Sequence, residues 1–431
     1  MIIQTTFRAT IASLAAVASL ASGNSPSAIK IEIGVPNQGI FPRAMSQDAR
    51  VVAGDYTNSA GKGRAFVWQA NGDVTLLENP SQSGGIYVGG ISADGSIVVG
   101  NRWVSGRSIA FRWSANTGIV DLPIPPATGN IFALCVSNSG VIGGKIIRAG
   151  AFRPWVMASD SSLVEVLPPP GAIAGAVNAI TPDATAMAGT CMTATTVRVP
   201  TRWTLPVSGV APVPDPRAIH PTALPVPVGD PSAQAVAISN DGSVIAGSTG
   251  DPLGAATWNI DGTWNFLASP DGFFCLKSAV AMSADGTVLA GQYQFEIGNS
   301  EIATWSDSGA VFPIRTFFNA LGFNLRPHLV IALSGDGTSL LCVNWGDTAI
   351  EGWLLTGMPL PYSKRCAQDF NNDLFVDDRD YEQFVVGYSL TDCAELSMPK
   401  NCPADFDHDG LVTDLDFVSF ALAYDEVVCF R

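Results

Sequence analysis

Three features of the sequence predict an all-β protein that ends in a small α-helical domain. A segment of about 45 residues recurs seven times between residues 40 and 356, the copies contain up to four short strand patterns, and the last 66 residues are acidic and rich in cysteine. Repeats of this length are typical of solenoids and propellers, and four short antiparallel strands form one propeller blade. We therefore predict a seven-bladed β-propeller of four-stranded antiparallel blades. Rings of six or eight blades are the alternatives.

The first 23 residues have the pattern of a secretory signal peptide. Arg8 precedes the apolar, Ala-rich segment 11–20, and three small residues follow at 21–23. The apolar segment is too short to span a bilayer, and no later stretch reaches the roughly 18 apolar residues that a transmembrane helix needs. We expect a secreted protein, extracellular or associated with the cell surface, with no membrane span.

The negative charge is concentrated at the C-terminal end. Of the net charge of -15, residues 366–431 carry -12, with 15 Asp and Glu against 3 Lys and Arg. Proteins that bind nucleic acid need basic patches to neutralise phosphates, so this distribution argues against a nucleic-acid partner. It favours cation binding in the tail.

The repeat has the same parts in the same order. Its first strand ends in Ser or Thr, and a Ser-x-Asp-Gly turn follows, as at 239–242 and 283–286. Asp-Gly between apolar segments predicts a hairpin, because Gly adopts the positive φ of a tight turn without steric cost. A third strand ends in tryptophan, as at 64–68, and a fourth follows a turn, as at 72–77. The residues that end the first strands are Ser46, Ser92, Ser137, Thr181, Ser239, Ser283 and Ser334.

Two recurring residue types are predicted to be structural. The turn aspartate accepts hydrogen bonds from its own turn. A tryptophan that recurs in every blade is expected to pack between neighbouring sheets. These tryptophans are Trp68, Trp113, Trp155, Trp203, Trp258, Trp305 and Trp353.

The two ends of the repeat array are predicted to meet. The last repeat lacks a fourth strand, because the chain leaves it after the strand at 351–355. The segment 29–34 has a strand pattern and stands alone before the first repeat, so we expect it to pair with the last repeat and close the ring. The predicted domains are a signal peptide at 1–23, the propeller at 28–358, a linker at 359–365 and a C-terminal domain at 366–431.

The repeats resemble the extracellular HAF repeat family, whose members carry a strand ending in Ala-Phe-x-Trp and a Ser-x-Asp-Gly turn. Residues 65–68 and 110–113 have this strand ending. The resemblance covers about 315 residues. It implies an exported propeller-like repeat protein and no particular activity.

The tail is an internal duplication with an offset of 36 residues, which aligns 366–384 with 402–420. Oxygen-bearing side chains fall at loop positions 1, 3, 5, 9 and 12 of both copies. This spacing, with a carboxylate at position 12, is what a cation of the size of calcium requires. We predict two calcium ions in two EF-hand-like loops. The ligands are Asp369, Asn371, Asp373, Asp377 and Asp380 in the first loop and Asp405, Asp407, Asp409, Thr413 and Asp416 in the second.

The second loop is expected to bind calcium more strongly. Its position 6 is Gly410, whereas the first loop has Leu374, and a non-Gly residue in a left-handed conformation costs roughly 1 to 2 kcal/mol. A helix should follow each loop, with a small core of aromatic residues at helical spacing. These residues are Tyr381, Phe384, Tyr388, Phe417, Phe420 and Tyr424.

Residues 366–431 resemble a type I dockerin of the variety that is flanked by cysteines. The resemblance implies a cohesin-like or other surface-anchoring partner. The residues before each last ligand, Asp378 with Arg379 and Asp414 with Leu415, differ from the small hydroxyl pair through which many dockerins bind cohesins.

The four cysteines of the tail allow three pairings. We predict bridges from Cys366 to Cys393 and from Cys402 to Cys429, because both pairs span 27 positions and a duplicated unit would copy its own bridge. The sequence does not assign the pairing of the other four cysteines, which are Cys135, Cys191, Cys275 and Cys342.

Extra aromatic residues follow the second strand in four repeats. They are Tyr56, Trp103, Tyr293, Phe295 and Trp345. The sixth, seventh, first and second repeats are neighbours in a closed ring, so these side chains would share one sector of one face. Exposed aromatic rings often contact carbohydrate or protein partners, which makes this sector a predicted ligand site and polysaccharide a candidate ligand. The alternative is that the rings cover the rim of their own blades.

The propeller sequence contains few residues in arrangements suited to catalysis. Its histidines are His220 and His328, and neither has a spacing with Cys, Asp or Glu that indicates a metal centre or a triad. We expect a binding or structural protein, anchored through its tail, and not an enzyme. The alternative is an extracellular polysaccharide-degrading enzyme with catalytic carboxylates in the propeller channel.

Overall fold

The computed structural model describes residues 26–35, 37–78, 84–123, 129–158, 163–206, 219–226, 233–249, 254–267, 276–296, 299–306, 311–323, 325, 327–345, 350–358, 360, 368, 370, 376, 378–395, 397–400, 402–406 and 409–426. Pro26–Met358 forms one compact unit, here called the repeat domain, and the described residues after it belong to a second, the C-terminal unit. Among the described residues, no helix has the length and apolar character needed to cross a membrane.

Twenty-eight described strands follow the repeats in order. Before and within the first two repeats they are β1 (Ser27–Lys30), β2 (Asn37–Met45), β3 (Val51–Asn58), β4 (Gly63–Gln69), β5 (Val74–Leu77), β6 (Ile86–Ile91), β7 (Val98–Val104), β8 (Arg107–Ser114) and β9 (Gly118–Asp121). In the third and fourth repeats they are β10 (Ile131–Val136), β11 (Ile142–Arg148), β12 (Ala151–Met157), β13 (Val164–Glu165), β14 (Ala172–Ile180), β15 (Ala186–Thr193), β16 (Arg198–Thr204) and β17 (His220–Ala223).

The remaining repeats contain eleven described strands and one short helix. The strands are β18 (Ala233–Ile238), β19 (Val244–Thr249), β20 (Gly254–Asn259), β21 (Trp264–Leu267), β22 (Leu276–Met282), β23 (Val288–Glu296), β24 (Asn299–Ser306), β25 (Val311–Pro313), β26 (Pro327–Leu333), β27 (Leu340–Trp345) and β28 (Ile350–Thr356), and the helix is α1 (Ile314–Ala320). Both histidines that the sequence offered lie in strands, His220 in β17 and His328 in β26.

The second to sixth repeats each form a separate four-stranded antiparallel sheet in chain order. The strands of the first and last repeats join β1 in one sheet of eight, in which a single parallel bridge, Gly39 with Ile350, links the two repeats. Strand β1 pairs antiparallel with β28, placing Ala28 opposite Leu355. The predicted pairing of the N-terminal strand with the last repeat is confirmed, although the strand begins two residues earlier than the segment 29–34.

The first strand of each repeat contacts the first strands of both neighbouring repeats. The contacts run from β2 through β6, β10, β14, β18 and β22 to β26, and β26 contacts β2. The repeated tryptophans lie between the sheets: six are buried and Trp353 is half-buried. The core of the repeat domain therefore consists of apolar layers between successive sheets, as the recurrence of tryptophan predicted.

The Ser-x-Asp turns are fixed by a recurring set of hydrogen bonds. In the fifth repeat, Ser239 Oγ donates to Asp241 Oδ1 at 2.7 Å and accepts from Val244 N at 2.9 Å. Asp241 Oδ1 also accepts from Ser243 N at 2.9 Å. Five other repeats form the same bonds, and the third uses Ser139 in place of Asp. The structural role predicted for the turn residues is confirmed.

The C-terminal unit contains two described helices, α2 (Asp378–Leu390) and α3 (Asp414–Glu426), and a single antiparallel bridge between Asp392 and Leu411. Phe384 and Phe420 are buried between the helices, with ring centroids 4.8 Å apart. Both were predicted as core residues. Tyr381 and Phe417, also predicted for the core, are 43% and 40% exposed because they lie at the start of each helix, where the unit is too small to cover both faces.

Candidate functional sites

The second loop of the C-terminal unit directs two of its carboxylates inward, whereas Asp409, at position 5, is exposed. Asp405 and Asp416, at positions 1 and 12, are buried. Asp405 Oδ2 accepts a hydrogen bond from Gly410 N at 2.9 Å, and Asp416 Oδ2 accepts one from Thr413 N at 2.8 Å. Gly410 has φ +91°, the left-handed conformation that its place in the loop requires. Buried oxygens held by backbone donors are preorganised acceptors for a hard cation. The position 3 residue, Asp407, lies outside the described residues.

The position 12 carboxylate of the first loop has the same environment as its counterpart. Asp380 is buried, and its Oδ1 accepts from Phe370 N at 2.7 Å; Asp416 Oδ1 accepts from Phe406 N at 2.7 Å. The pairs are related by the 36-residue offset. The other predicted ligands of this loop, Asp369, Asn371, Asp373 and Asp377, lie outside the described residues, as does Leu374.

An aspartate of each helix also accepts a hydrogen bond from a tyrosine of the other helix. Tyr424 Oη donates to Asp378 Oδ1 at 2.6 Å, and Tyr388 Oη donates to Asp414 Oδ1. The bond to Asp414 raises the pKa of Tyr388. These two bonds obey the same offset, so the duplication visible in the sequence is also a structural symmetry of the unit.

The structure corrects the predicted disulfide pairing. Cys393 is bonded to Cys402, with the two Cα atoms 5.4 Å apart. Both predicted bridges used one of these residues, so both are wrong; Cys366 and Cys429 lie outside the described residues. The physical reason is that the segment after α2 turns back at once: Met398 N bonds to Glu395 O, and Cys402 N bonds to Pro399 O. Nine residues are then enough to bring the two sulfur atoms together.

The start of each helix in the C-terminal unit exposes apolar side chains. Leu415 is 69% exposed and Val418 is 52% exposed. Other exposed apolar residues of the unit are Tyr381, Val385, Val386, Leu411 and Phe417. Exposed apolar side chains on a small unit are candidates for contact with a protein partner. We call these seven residues the apolar patch.

The predicted aromatic sector of the repeat domain is corrected at Tyr56. This residue is only 5% exposed, because its strand position places the ring in the core between sheets, and it has no surface to offer a ligand. Trp103 is half-buried. Its backbone N donates to Gly85 O, directly before the first strand of the same repeat, at 2.9 Å. The side chains of Tyr293, Phe295 and Trp345 lie outside the described residues, so the sector as a whole stays a prediction.

At one end of the ring, the Ser-x-Asp turns of different repeats are hydrogen-bonded to one another. The second residues of the Ser-x-Asp turns bond to one another through the backbone: Asn240 N to Ala284 O, Ala284 N to Gly335 O, Gly335 N to Gln47 O, and Gln47 N to Ala93 O. The side-chain amides of Gln47 and Asn240 exchange two hydrogen bonds of 2.5 and 3.0 Å. These residues belong to the first and fifth repeats, which are not neighbours, so the pair crosses the space enclosed by the first strands.

Every first strand carries a β-bulge three residues before its final Ser or Thr. The bulged residues are Arg43, Gly89, Leu134, Asn178, Val236, Val280 and Ile331. Bulges redirect a side chain and are frequent near functional sites. Sequence analysis missed this position, although one signal was available: it varies in chemistry while the residues around it recur.

The bulge of the first repeat holds a charged pair. Arg43 Nε donates to Asp55 Oδ2 at 2.7 Å, and Asp55 Oδ1 accepts from Val88 N of the second repeat at 2.7 Å. Burial raises the pKa of Asp55, against the lowering effect of the bonds from Val88 N and Arg43. The Arg43 side chain remains 47% exposed. The arrangement holds a guanidinium on the innermost strand.

Three cysteines of the repeat domain are buried free thiols in strands: Cys135, Cys191 and Cys342. Burial raises the pKa of Cys135 and Cys342 to about 12 and that of Cys191 to about 11. Such thiols are poor nucleophiles because the thiolate is the reactive form. They act as small core residues.

Solved structures similar to this chain are β-propellers, and the repeat domain has a β-propeller fold. A structure from a study of two prolyl endopeptidases has a TM-score of 0.50 and 11% identity, covering 83% of this chain and 53% of its own. A virginiamycin B lyase from Staphylococcus aureus has a TM-score of 0.46 and 14% identity, covering 77% of this chain and 99% of its own. The Cps50 (Swd1) propeller domain from Myceliophteria thermophila has a TM-score of 0.45 and 9% identity, covering 76% and 99%. No protein-family profile and no curated protein sequence matches the chain.

These comparisons correct the expectation that the protein is not an enzyme. Prolyl endopeptidases are enzymes, and about half of the chain in that structure shares a fold with this chain. The expectation rested on the lack of a recognisable catalytic set of residues in the sequence. Propeller folds occur in proteins with and without catalytic activity, so the lack of such a set does not exclude an enzyme.

Proposed function

We propose that this chain is an exported, surface-anchored protein in which a calcium-loaded, dockerin-like C-terminal unit carries a seven-bladed propeller of HAF-type repeats. The blade count is supported by seven first strands that contact one another in a closed series. The pairing of β1 with β28 completes the last blade with the N-terminal strand. Export is supported by the signal-peptide pattern of residues 1–23.

The observation that carries the calcium proposal is the matched burial of Asp380 and Asp416. A buried carboxylate is costly unless it is paired, because the charged form loses its hydration. Each of these carboxylates accepts backbone hydrogen bonds, and the described carboxylate Asp405 is buried in the same loop as Asp416. Calcium supplies the positive charge that such a set of oxygens needs. We assign two ions, with the second loop binding more tightly because Gly410 has the required left-handed conformation.

Anchoring is the role that the exposed apolar patch supports. Leu415 and Val418 lie on the first two turns of α3, where the helix overlaps and follows the end of the second calcium loop. Calcium binding would fix the start of this helix, so the patch would be ordered only in the loaded state. The proposed partner is a cohesin-like or other surface protein with a complementary apolar face.

Calorimetry with the full chain tests the calcium assignment. We expect two binding events of unequal affinity in the wild type. Asp416→Asn should remove the tighter event and Asp380→Asn the weaker one, because each variant loses a charged ligand. Glu395→Gln is the matched control, since Glu395 is an exposed carboxylate of the same unit outside both loops. Heat of binding that is unchanged in Asp416→Asn, or lost equally in the control, would contradict the assignment.

Binding to an immobilised type I cohesin domain tests the anchoring role. We expect association in calcium and release by a chelator, with Leu415→Lys weakening association while calcium binding is retained. Association that does not depend on calcium, or that is unchanged in Leu415→Lys, would show that this face does not anchor the protein.

A further inference from the structure

The hairpin between the second and third strands divides the repeats into two groups by charge. In the first four repeats, the strands and turns at 51–69, 98–114, 142–157 and 186–204 contain ten Lys and Arg and one carboxylate, Asp55. In the last three, the segments 244–259, 288–306 and 340–356 contain no Lys or Arg and five carboxylates. We call the first group the basic arc. Its cations are Lys62, Arg64, Arg102, Arg107, Arg112, Lys145, Arg148, Arg153, Arg198 and Arg202. Arg112 and Arg202 lie near the Ser-x-Asp end of their sheets, so the surface considered below consists of the other eight.

The turns of these hairpins share one end of the ring. Each first strand runs to its Ser-x-Asp turn and each second strand runs back, so the second-to-third turn lies at the opposite end of the sheet. The four repeats are consecutive, and their first strands contact in order. Direct bonds also join two of these hairpins to the next repeat: Ser108 Oγ donates to Ile131 O at 2.9 Å, and Arg153 Nη1 donates to Ile173 O. The cations at the turns therefore belong to one continuous surface.

Part of this positive charge is exposed and unpaired. Arg107 and Arg198 are exposed and make no side-chain hydrogen bond or ion pair with any described residue. The single carboxylate of these hairpins, Asp55, is buried and paired with Arg43. Carboxylates in or beside the fourth strands pair with three of the other cations: Glu78 with Arg64, Asp121 with Arg102 and Glu165 with Arg148. A cationic surface remains at the turns.

Exposed aromatic rings lie among these cations. Tyr87 is 37% exposed, and its ring packs against Gly63, next to Lys62. Phe152 is 40% exposed, and Lys145 Nζ lies 4.7 Å from its ring centroid. Flat apolar rings offer stacking surfaces to sugar rings, while guanidinium groups form paired hydrogen bonds with carboxylate or sulfate.

We propose that the basic arc binds an acidic polysaccharide through its carboxylate or sulfate groups. A short anionic segment fits the arc, since the last three hairpins are acidic and would repel a longer polyanion that continued around the ring. Guanidinium and ammonium groups bind the charges, and the exposed rings contact the sugars between them. The calcium proposal for the C-terminal unit is not needed for this site.

Binding assays with the full chain test the proposal, using dextran sulfate, polygalacturonate and neutral dextran as probes. The assays run with a chelator present, so that calcium neither bridges the polyanion nor involves the C-terminal unit. We expect binding to one or both acidic polymers and none to neutral dextran. Binding to dextran sulfate alone identifies sulfate as the recognised group, and binding to polygalacturonate alone identifies carboxylate.

A triple variant at the exposed turn positions, Lys62→Gln with Arg107→Gln and Arg198→Gln, should weaken binding roughly tenfold, since each surface charge contact contributes a small amount. Arg50→Gln is the matched control, because Arg50 is 80% exposed at the Ser-x-Asp end of the ring. Added salt should weaken wild-type binding more than that of the triple variant. Equal affinities in the triple variant and the wild type, an equal loss in Arg50→Gln, or equal binding of neutral dextran would overturn the proposal. So would an absence of polyanion binding together with self-association that the triple variant abolishes, which would make the arc a contact between copies.

Discussion

The two ends of each repeat follow opposite rules. At the Ser-x-Asp end, nearly the same residues recur, because each buried hydroxyl needs the same side-chain and backbone partners to be satisfied. At the hairpin end, charge reverses between the first four repeats and the last three. Exposed side chains there cost little to change. The difference teaches that recurrence in this ring marks folding requirements, whereas variation marks the surface on which a ligand can be selected.

The largest expected effect that tests this comparison is at Ser239. Replacing it with Ala removes the acceptor of Val244 N and one of the three donors to Asp241 Oδ1. Such a loss costs about 1 to 3 kcal/mol of unfolding free energy. Thr195→Ala, at an exposed hairpin turn, should change it by less than about 0.5 kcal/mol. Urea denaturation of both variants measures the difference, and equal values would remove the distinction between the two ends.

Two glycines with similar backbone angles sharpen the comparison. Gly242 (φ +71°) lies at the Ser-x-Asp end, where an added Cβ would be 3.1 Å from Ala186 Cβ of the neighbouring repeat. Gly150 (φ +78°) lies at a hairpin turn with nothing within 4 Å of that position. Both Ala variants lose about 1 kcal/mol or more through backbone strain. Gly242→Ala should lose more in urea denaturation, because it also forces two sheets apart. The reverse order would be evidence against close packing at this end.

A smaller effect is expected from the amide pair that crosses the ring. Gln47→Ala removes both hydrogen bonds with Asn240, which predicts a loss of about 1 kcal/mol in unfolding free energy. The double variant with Asn240→Ala should be no less stable than Gln47→Ala alone, because the same pair is lost in both. Additive losses in thermal or urea unfolding would show that the two amides do not interact.

Acid should reduce the stability that the Ser-x-Asp turns contribute. Hydrogen bonds from Ser239, then from Ser243, hold the pKa of Asp241 below its ordinary value of 3.8. A carboxylate whose pKa is lowered in the fold stabilises it above the unfolded pKa, and this contribution disappears as the pH falls through the folded pKa. The stability difference between the wild type and Asp241→Asn should therefore shrink below about pH 4. Unfolding measured from pH 7 to pH 2.5 checks this, and a constant difference would contradict it.

Much of the fold could be predicted from the sequence because the repeat presents the same physical problem seven times. A strand ending in Ser, an Asp-Gly turn and a tryptophan each have one structural solution, and that solution recurs. The unpaired strand pattern before the first repeat was also informative, since an open sheet edge in the last repeat requires a partner. The paired position 12 aspartates are the part of the candidate calcium site that the structure describes as buried and hydrogen-bonded.

Other features depend on distances in the folded structure, which the spacing of residues along the sequence does not reveal. The period of strand β3 did not reveal that Tyr56 lies on its core face, because both faces of an inner strand are covered in this fold. The 27-residue symmetry suggested bridges from Cys366 to Cys393 and from Cys402 to Cys429, but the tight turn after α2 brings Cys393 to Cys402. The apolar pattern did not reveal the bulge at Arg43, because the bulge changes the register of pairing without changing that pattern.

The pairing of β1 with β28 makes folding of the propeller a long-range event. The hydrogen bond between Ser27 and Thr356 joins residues 329 positions apart, so the last sheet cannot be completed until nearly the whole repeat domain has been synthesised. Contacts of such separation slow folding, since a long loop must close before any interaction rewards it. Until β1 pairs with β28, the last sheet keeps an open edge, so we expect closure of the ring to be a late step in folding.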